Sequence, residues 1–150
     1  MIEYLYNGAN VFVLPFWLLM VVLPNWSITR RIMASTLPFV PLALGYIFCF
    51  ASSLDPESLE AFANPTLSVL AGLFADEKVM ATGWIHFVVM DLFVGRWIYW
   101  QGQEKGIFTR HSLALCLFAG PIGLLCHLIT AQVQERWLGL GEVSESKATS

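Results

Sequence analysis

Three ionisable side chains, His86, Asp91 and Arg96, interrupt an otherwise apolar run between Ala81 and Trp100. From Trp84 the run reads WIHFVVMDLFVGRWIYW, with Asp91 near the middle of the stretch. A carboxylate at mid-membrane depth costs at least about 2.5–3.5 kcal/mol on insertion scales, so such groups are partnered and tend to serve function. Five residues turn a helix by about 140°, so His86 and Asp91 diverge around the axis. Arg96 lies near the end of the run, where a snorkelling cation and a carboxylate partner are equally good readings. His86 shares a helical stripe with Met90, Phe93, Trp97 and Trp100, which suits either a long polyene or lipid, or ordinary helix packing.

A second pattern follows. Cys116, Gly120, Gly123, His127, Thr130 and Gln134 recur at steps of three and four, so a continuous helix would carry them on one face. Small residues there allow close helix approach, and the polar ones bond across the contact. With the segment from Ser112 to Val133 read as a span antiparallel to the preceding one, His127 falls about level with His86, each roughly 8 Å from its outer end. Two histidines at one depth, with Asp91 deeper, make an acid–base constellation: imidazole titrates near neutral pH, and a desolvated carboxyl can be held protonated. Facing histidines also suit haem ligation. At the mouth, Arg110 and His111 are placed to meet an anionic headgroup or simply to begin a solvated helix.

These residues need helices to hold them, and the composition says where the helices sit. Of 150 residues, 57% are apolar and 13% charged, about half the charged share of a soluble domain. Four stretches approach the roughly 20 residues a transmembrane helix requires: Gly8 to Pro24, Leu37 to Leu54, Ala81 to Trp100, and Ser112 to Val133. The expected fold is all-α: a polytopic four-transmembrane-helix bundle over residues 1–140 forming one domain, with a polar, disordered tail at 141–150. Prolines at 15, 41 and 121 predict local kinks. Between the second and third spans, residues 56–80 read as an interfacial amphipathic segment or a connecting loop lying on lipid.

Charge orients the chain and narrows its partners. Arg30, Arg31, Arg96, Lys105 and Arg110 cluster around the two short connections, which predicts both loops on the inner side and both termini opposite. A net charge of −3 without a basic tract argues against nucleic acid. Cys49, Cys116 and Cys126 lie in apolar segments without CxxC spacing, against a disulfide framework and against a zinc site. Met1-Ile-Glu-Tyr lacks a basic leader region, so the first apolar run is expected to be retained as a helix.

The run WIHFVVMDLFVGRWIYWQG (84–102), followed by TRHSLALCLFAGPIGLLCHLIT (109–130), closely resembles the ABA4-like family, and the opening NGANVFVLPFWLLMVVLPNWSITRRIM is similar to its first span and basic loop. That family is known from a plant plastid membrane protein needed to form the carotenoid neoxanthin. The resemblance implies a membrane-embedded isomerase that rearranges the 5,6-epoxide of violaxanthin, or a related xanthophyll, to an allenic alcohol. No net electron transfer accompanies that reaction, so no cofactor is implied. It needs an acid for the epoxide oxygen and a base for a nearby polyene proton. The candidates are His86, Asp91 and His127, with Arg96 to stabilise a carboxylate or developing alkoxide. Candidates to line the substrate are Trp84, Met90, Phe93, Trp97, Cys116, Gly120, Gly123, Arg110 and His111. The alternative is a non-catalytic protein that binds carotenoid or assembles with carotenoid enzymes or photosynthetic complexes. Either way the expected setting is a cyanobacterial thylakoid or plasma membrane, or a plastid membrane.

Overall fold

The computed structural model describes the backbone of residues 1–148 and the side chains of residues 1–137 except 57. The tail expected to be disordered, 141–150, therefore lies outside the fully described residues. Among the described residues there are only helices and their connections: α1 (Ile2–Val22), α2 (Ser27–Ala34), α3 (Phe39–Ser52), α4 (Pro56–Ala63), α5 (Leu67–Leu73), α6 (Glu77–Lys105), α7 (Arg110–Phe118) and α8 (Gly120–Ala148). α1 and α6 are each long and apolar enough to cross a membrane, and α2 with α3 forms a third candidate, bent by 43°. Valines and leucines at 11, 14, 18 and 22 are exposed along α1. An exposed apolar face of that length suits acyl chains better than water.

Local chemistry sets the helix ends. Pro24, just beyond α1, cannot continue the helix, and the buried Thr29 hydroxyl donates to Leu23 O at 2.8 Å to close the turn into α2. The expected segment 56–80 contains two short helices packed on each other and leads into the start of α6. Asp55 caps α4 through the Ser58 amide at 2.7 Å, and Thr66 caps α5 through the Val69 amide at 3.3 Å. Asp76 caps α6 by accepting from the Lys78 and Val79 amides. α6 ends at Gly106, whose φ of +67° is the left-handed stop that glycine adopts at no steric cost.

The chain divides into two compact units, Met1–Phe16 with Arg30–Met90, and Trp17–Thr29 with Asp91–Ser150. In the first, Trp84 donates through Nε1 to Asn10 Oδ1 at 2.9 Å, and Phe74 lies over Gly83. In the second, Trp17 covers Gly95, and the buried Tyr99 hydroxyl donates to Pro24 O at 2.9 Å.

The second unit corrects the expectation for 112–133, which is not one helix. Backbone angles of −156° and 88° at Ala119 end α7, and the chain reverses. His111 Nε2 and Thr130 Oγ1 share a 2.9 Å hydrogen bond across nineteen residues, which in one straight helix would stand about 28 Å apart. Pro121 explains the break: it has no amide to continue the α7 ladder, but it fits the first turn of a new helix. The result is a hairpin of antiparallel helices, where the sequence pattern led to a kinked span.

Candidate functional site

The hairpin is arranged around Asp91. Cys116, near the end of α7, donates through Sγ to Asp91 O at 3.6 Å, so α7 runs back along α6 to that level. α7 has nine residues, about 13 Å, less than half of a roughly 30 Å hydrocarbon core. α8 then returns. Gly120 meets Asp91, His127 meets Trp97, and Gln134 Nε2 donates to Gly106 O at 2.9 Å, so α8 runs parallel to the second half of α6. The apolar part of α8 thus leaves on the side where α6 ends, and a Lys105–Glu135 ion pair at 3.2 Å holds it there. The final segment was expected to run antiparallel to α6 throughout; only α7 does, and α8 turns back parallel to it.

Asp91 and Gly120 meet at the hairpin tip. The Asp91 carboxylate, half-buried, accepts a hydrogen bond from the Gly120 backbone amide, the leading N–H of α8. A helix N-terminus presents unsatisfied amides and the positive end of the dipole, so a carboxylate is the favoured partner. The glycine is required by space. A Cβ at 120 would run into Asp91 Oδ1 and lie 2.7 Å from Cγ. One turn on, a Cβ at Gly123 would strike Cys116, 2.5 Å from its own Cβ. The close-packing role expected for Cys116, Gly120 and Gly123 therefore holds, but across a hairpin seam and not along one helix face.

The structure distributes the other expected residues unevenly. His127 is 1% exposed and stands edge-on to Trp97, ring centroids 5.4 Å apart. Because α8 is parallel to α6 here, His127 sits at Trp97, eleven residues along α6 from His86, and not at the depth of His86. Arg96 is half-buried on α6, and Arg110 is exposed at the start of α7. His111 is half-buried, stacked on Phe108 at 5.4 Å as well as bonded to Thr130. In the first unit, His86 is exposed and packs on Tyr46 and Phe87, centroids 5.8 and 6.1 Å away. Trp84 joins Asn10 and Tyr6, while Met90, and in the second unit Phe93, turn outward.

Several participants were not singled out from the sequence. Asn10 and Tyr46 are polar positions in apolar runs, a signal that was legible. Ser112 is fully buried with its hydroxyl unpaired among the described residues, and so is His127 Nδ1. In the first unit an apolar groove of about 200 Å³ is lined by α1, Pro41, Gly45 and Ile85. Among the described residues no group of three or more His, Cys, Asp or Glu side chains is disposed to hold a metal ion.

The geometry defines a class: a protein helical throughout its described residues, with apolar helices of membrane-spanning length, in which a carboxylate on α6 caps the second arm of a helical hairpin. Comparison with known proteins identifies the family. Residues 4–127 match the ABA4-like family, described as ABA DEFICIENT 4-like, and the chain belongs to it. It is 40% identical over 126 residues to the Arabidopsis thaliana protein ABA DEFICIENT 4, chloroplastic. The alignment covers 81% of this chain and 57% of that protein, so the chain spans little more than half its relative's length. No solved structure matches it.

Proposed function

We propose that the protein acts in xanthophyll metabolism as a membrane-embedded isomerase, opening the epoxide of violaxanthin or a related xanthophyll to an allenic alcohol. Kinship with the ABA4-like family supports the substrate class, and the apolar helices suit a substrate that lives in lipid. The observation that carries the chemistry is Asp91, a carboxyl in the middle of α6 fixed in place by the Gly120 amide. The reaction moves one proton on and one off. The epoxide oxygen is protonated as its bond to the ring carbon breaks, and a proton leaves the neighbouring polyene carbon as the allene forms. One carboxyl can serve both steps and end as it began, which suits general acid–base catalysis. Arg96, the half-buried cation of the same helix, is the candidate to stabilise oxyanion character, from a face that diverges from that of Asp91 by about 140°. His127 lies seven residues beyond Gly120, about 10 Å along α8, too far to share an atom with Asp91.

A second reading has an observation in its favour. The cap on α8 explains Asp91 without chemistry, as a carotenoid-holding protein would use it. Expression in a bacterium that makes violaxanthin, followed by pigment chromatography, separates the two. The isomerase reading expects an allenic product from wild type, lost in Asp91→Asn, whose side-chain oxygen still caps Gly120. Violaxanthin that co-purifies unchanged with the wild-type protein supports the holding role and removes the catalytic one.

A further inference from the structure

The α7–α8 seam contains two polar groups that the proposed reaction leaves unused. Cys116 on α7 faces Gly123 on α8, so close that a Cβ on the glycine would overlap it. Positions four apart share a helix face, so Ser112 lies beside Cys116 and His127 beside Gly123. In an antiparallel pair these steps run towards the same end, so the register puts Ser112 and His127 in the same layer, one below the tip. The His111–Thr130 bond closes the next layer. Ser112 is 0% and His127 1% exposed, yet Ser112 Oγ and His127 Nδ1 have no hydrogen-bond partner among the described residues. An unmet polar atom in a buried seam is costly, and two in the same layer are met together by one small molecule that both donates and accepts.

We infer that Ser112 and His127 hold a bound water between the two arms of the hairpin, and that this bridge orients the His127 ring. Trp97 packs edge-on against the imidazole and limits its tilt, while the bridge to Nδ1 sets its rotation and tautomer. Ser112 is thus a positioning residue for His127. The inference stands whether or not the protein is an isomerase. Only three histidines are present, so protein labelled with 15N-histidine in lipid nanodiscs gives three assignable imidazoles, His86→Gln and His111→Asn identifying two of them. The bridge predicts a water-to-His127 cross-peak at Nδ1 in the wild type. It also predicts that Ser112→Ala removes the cross-peak and shifts Nδ1, that Ser112→Thr restores both, and that the His86 signals stay in place. A wild-type His127 with no water cross-peak overturns the inference before any variant is made. A His127 signal unmoved in Ser112→Ala overturns Ser112 as its partner, and a direct serine–imidazole coupling without water overturns the bridge.

Discussion

If the Asp91 carboxylate holds the first amide of α8, removing it should loosen the hairpin tip, and Cys116 can report the loosening. Cys116 is fully buried in the seam against Gly123. With Cys49→Ser and Cys126→Ser in every sample, a thiol-reactive fluorophore reads this position alone. Asp91→Ala leaves the Gly120 amide without its acceptor at a site shielded from water. Orphaning a buried amide costs about 1–3 kcal/mol, which is about 5- to 150-fold in the open population. Labelling slow relative to reclosing follows that population, so Cys116 should react faster by a similar factor. Asp91→Asn keeps a side-chain oxygen for the amide and should change the rate by less than about threefold, using the lower end of cap energies. Gly120→Ala pushes a methyl into the carboxylate, and overpacking of that kind costs about 1–3 kcal/mol. The double variant is decisive. With Asp91 shortened to alanine, the methyl at 120 has nothing to strike, so the combination should open little more than Asp91→Ala alone. Additive effects, or an Asp91→Ala rate equal to wild type, would refute the cap.

Two further outcomes follow from the same unit. Gly95→Ala should lower the melting temperature in detergent, followed by tryptophan fluorescence: a Cβ there would lie 2.6 Å from Cζ3 of the nearly buried Trp17, whose rigid ring cannot yield. Overpacking at about 1–3 kcal/mol corresponds to a fall of about 2–12 °C for a chain of this size, and an unchanged melt would show that the two helices are not held this closely. For the hairpin topology, Glu104→Cys and Trp137→Cys in a cysteine-free background should be labelled by a membrane-impermeant reagent from the same face of sealed vesicles, since Lys105 pairs with Glu135. Labelling from opposite faces would restore a straight final span.

Hydropathy made the long apolar helices legible, α6 above all, because 29 residues with an apolar centre hold one helix. The same signal misread 112–133. A straight span and a re-entrant hairpin place the same apolar side chains in the same order, and each arm of a hairpin keeps the helical period. What differs is four residues, Phe118-Ala119-Gly120-Pro121, where Gly-Pro allows either a kink or a reversal. The choice depends on something outside the segment: the Asp91 carboxylate available to cap the new helix, and the space that two glycines leave for close approach.

That single ambiguity propagated into the site. Asp91 stood out as a lone carboxylate in the middle of an apolar run, because such a group requires a partner wherever the neighbouring helices lie. Its actual partner, a backbone amide, leaves no trace in residue types. Placing His127 required the direction of the last helix, and with α8 reversed in sense the histidine moves from the depth of His86 to that of Trp97. The glycine and cysteine pattern survived because it marks close approach, and close approach is needed both across a hairpin seam and between two spans. A carboxylate that needs a partner could be picked out from the sequence. A residue whose role depends on the direction of its helix could not be placed until Ala119 was seen to turn the chain back.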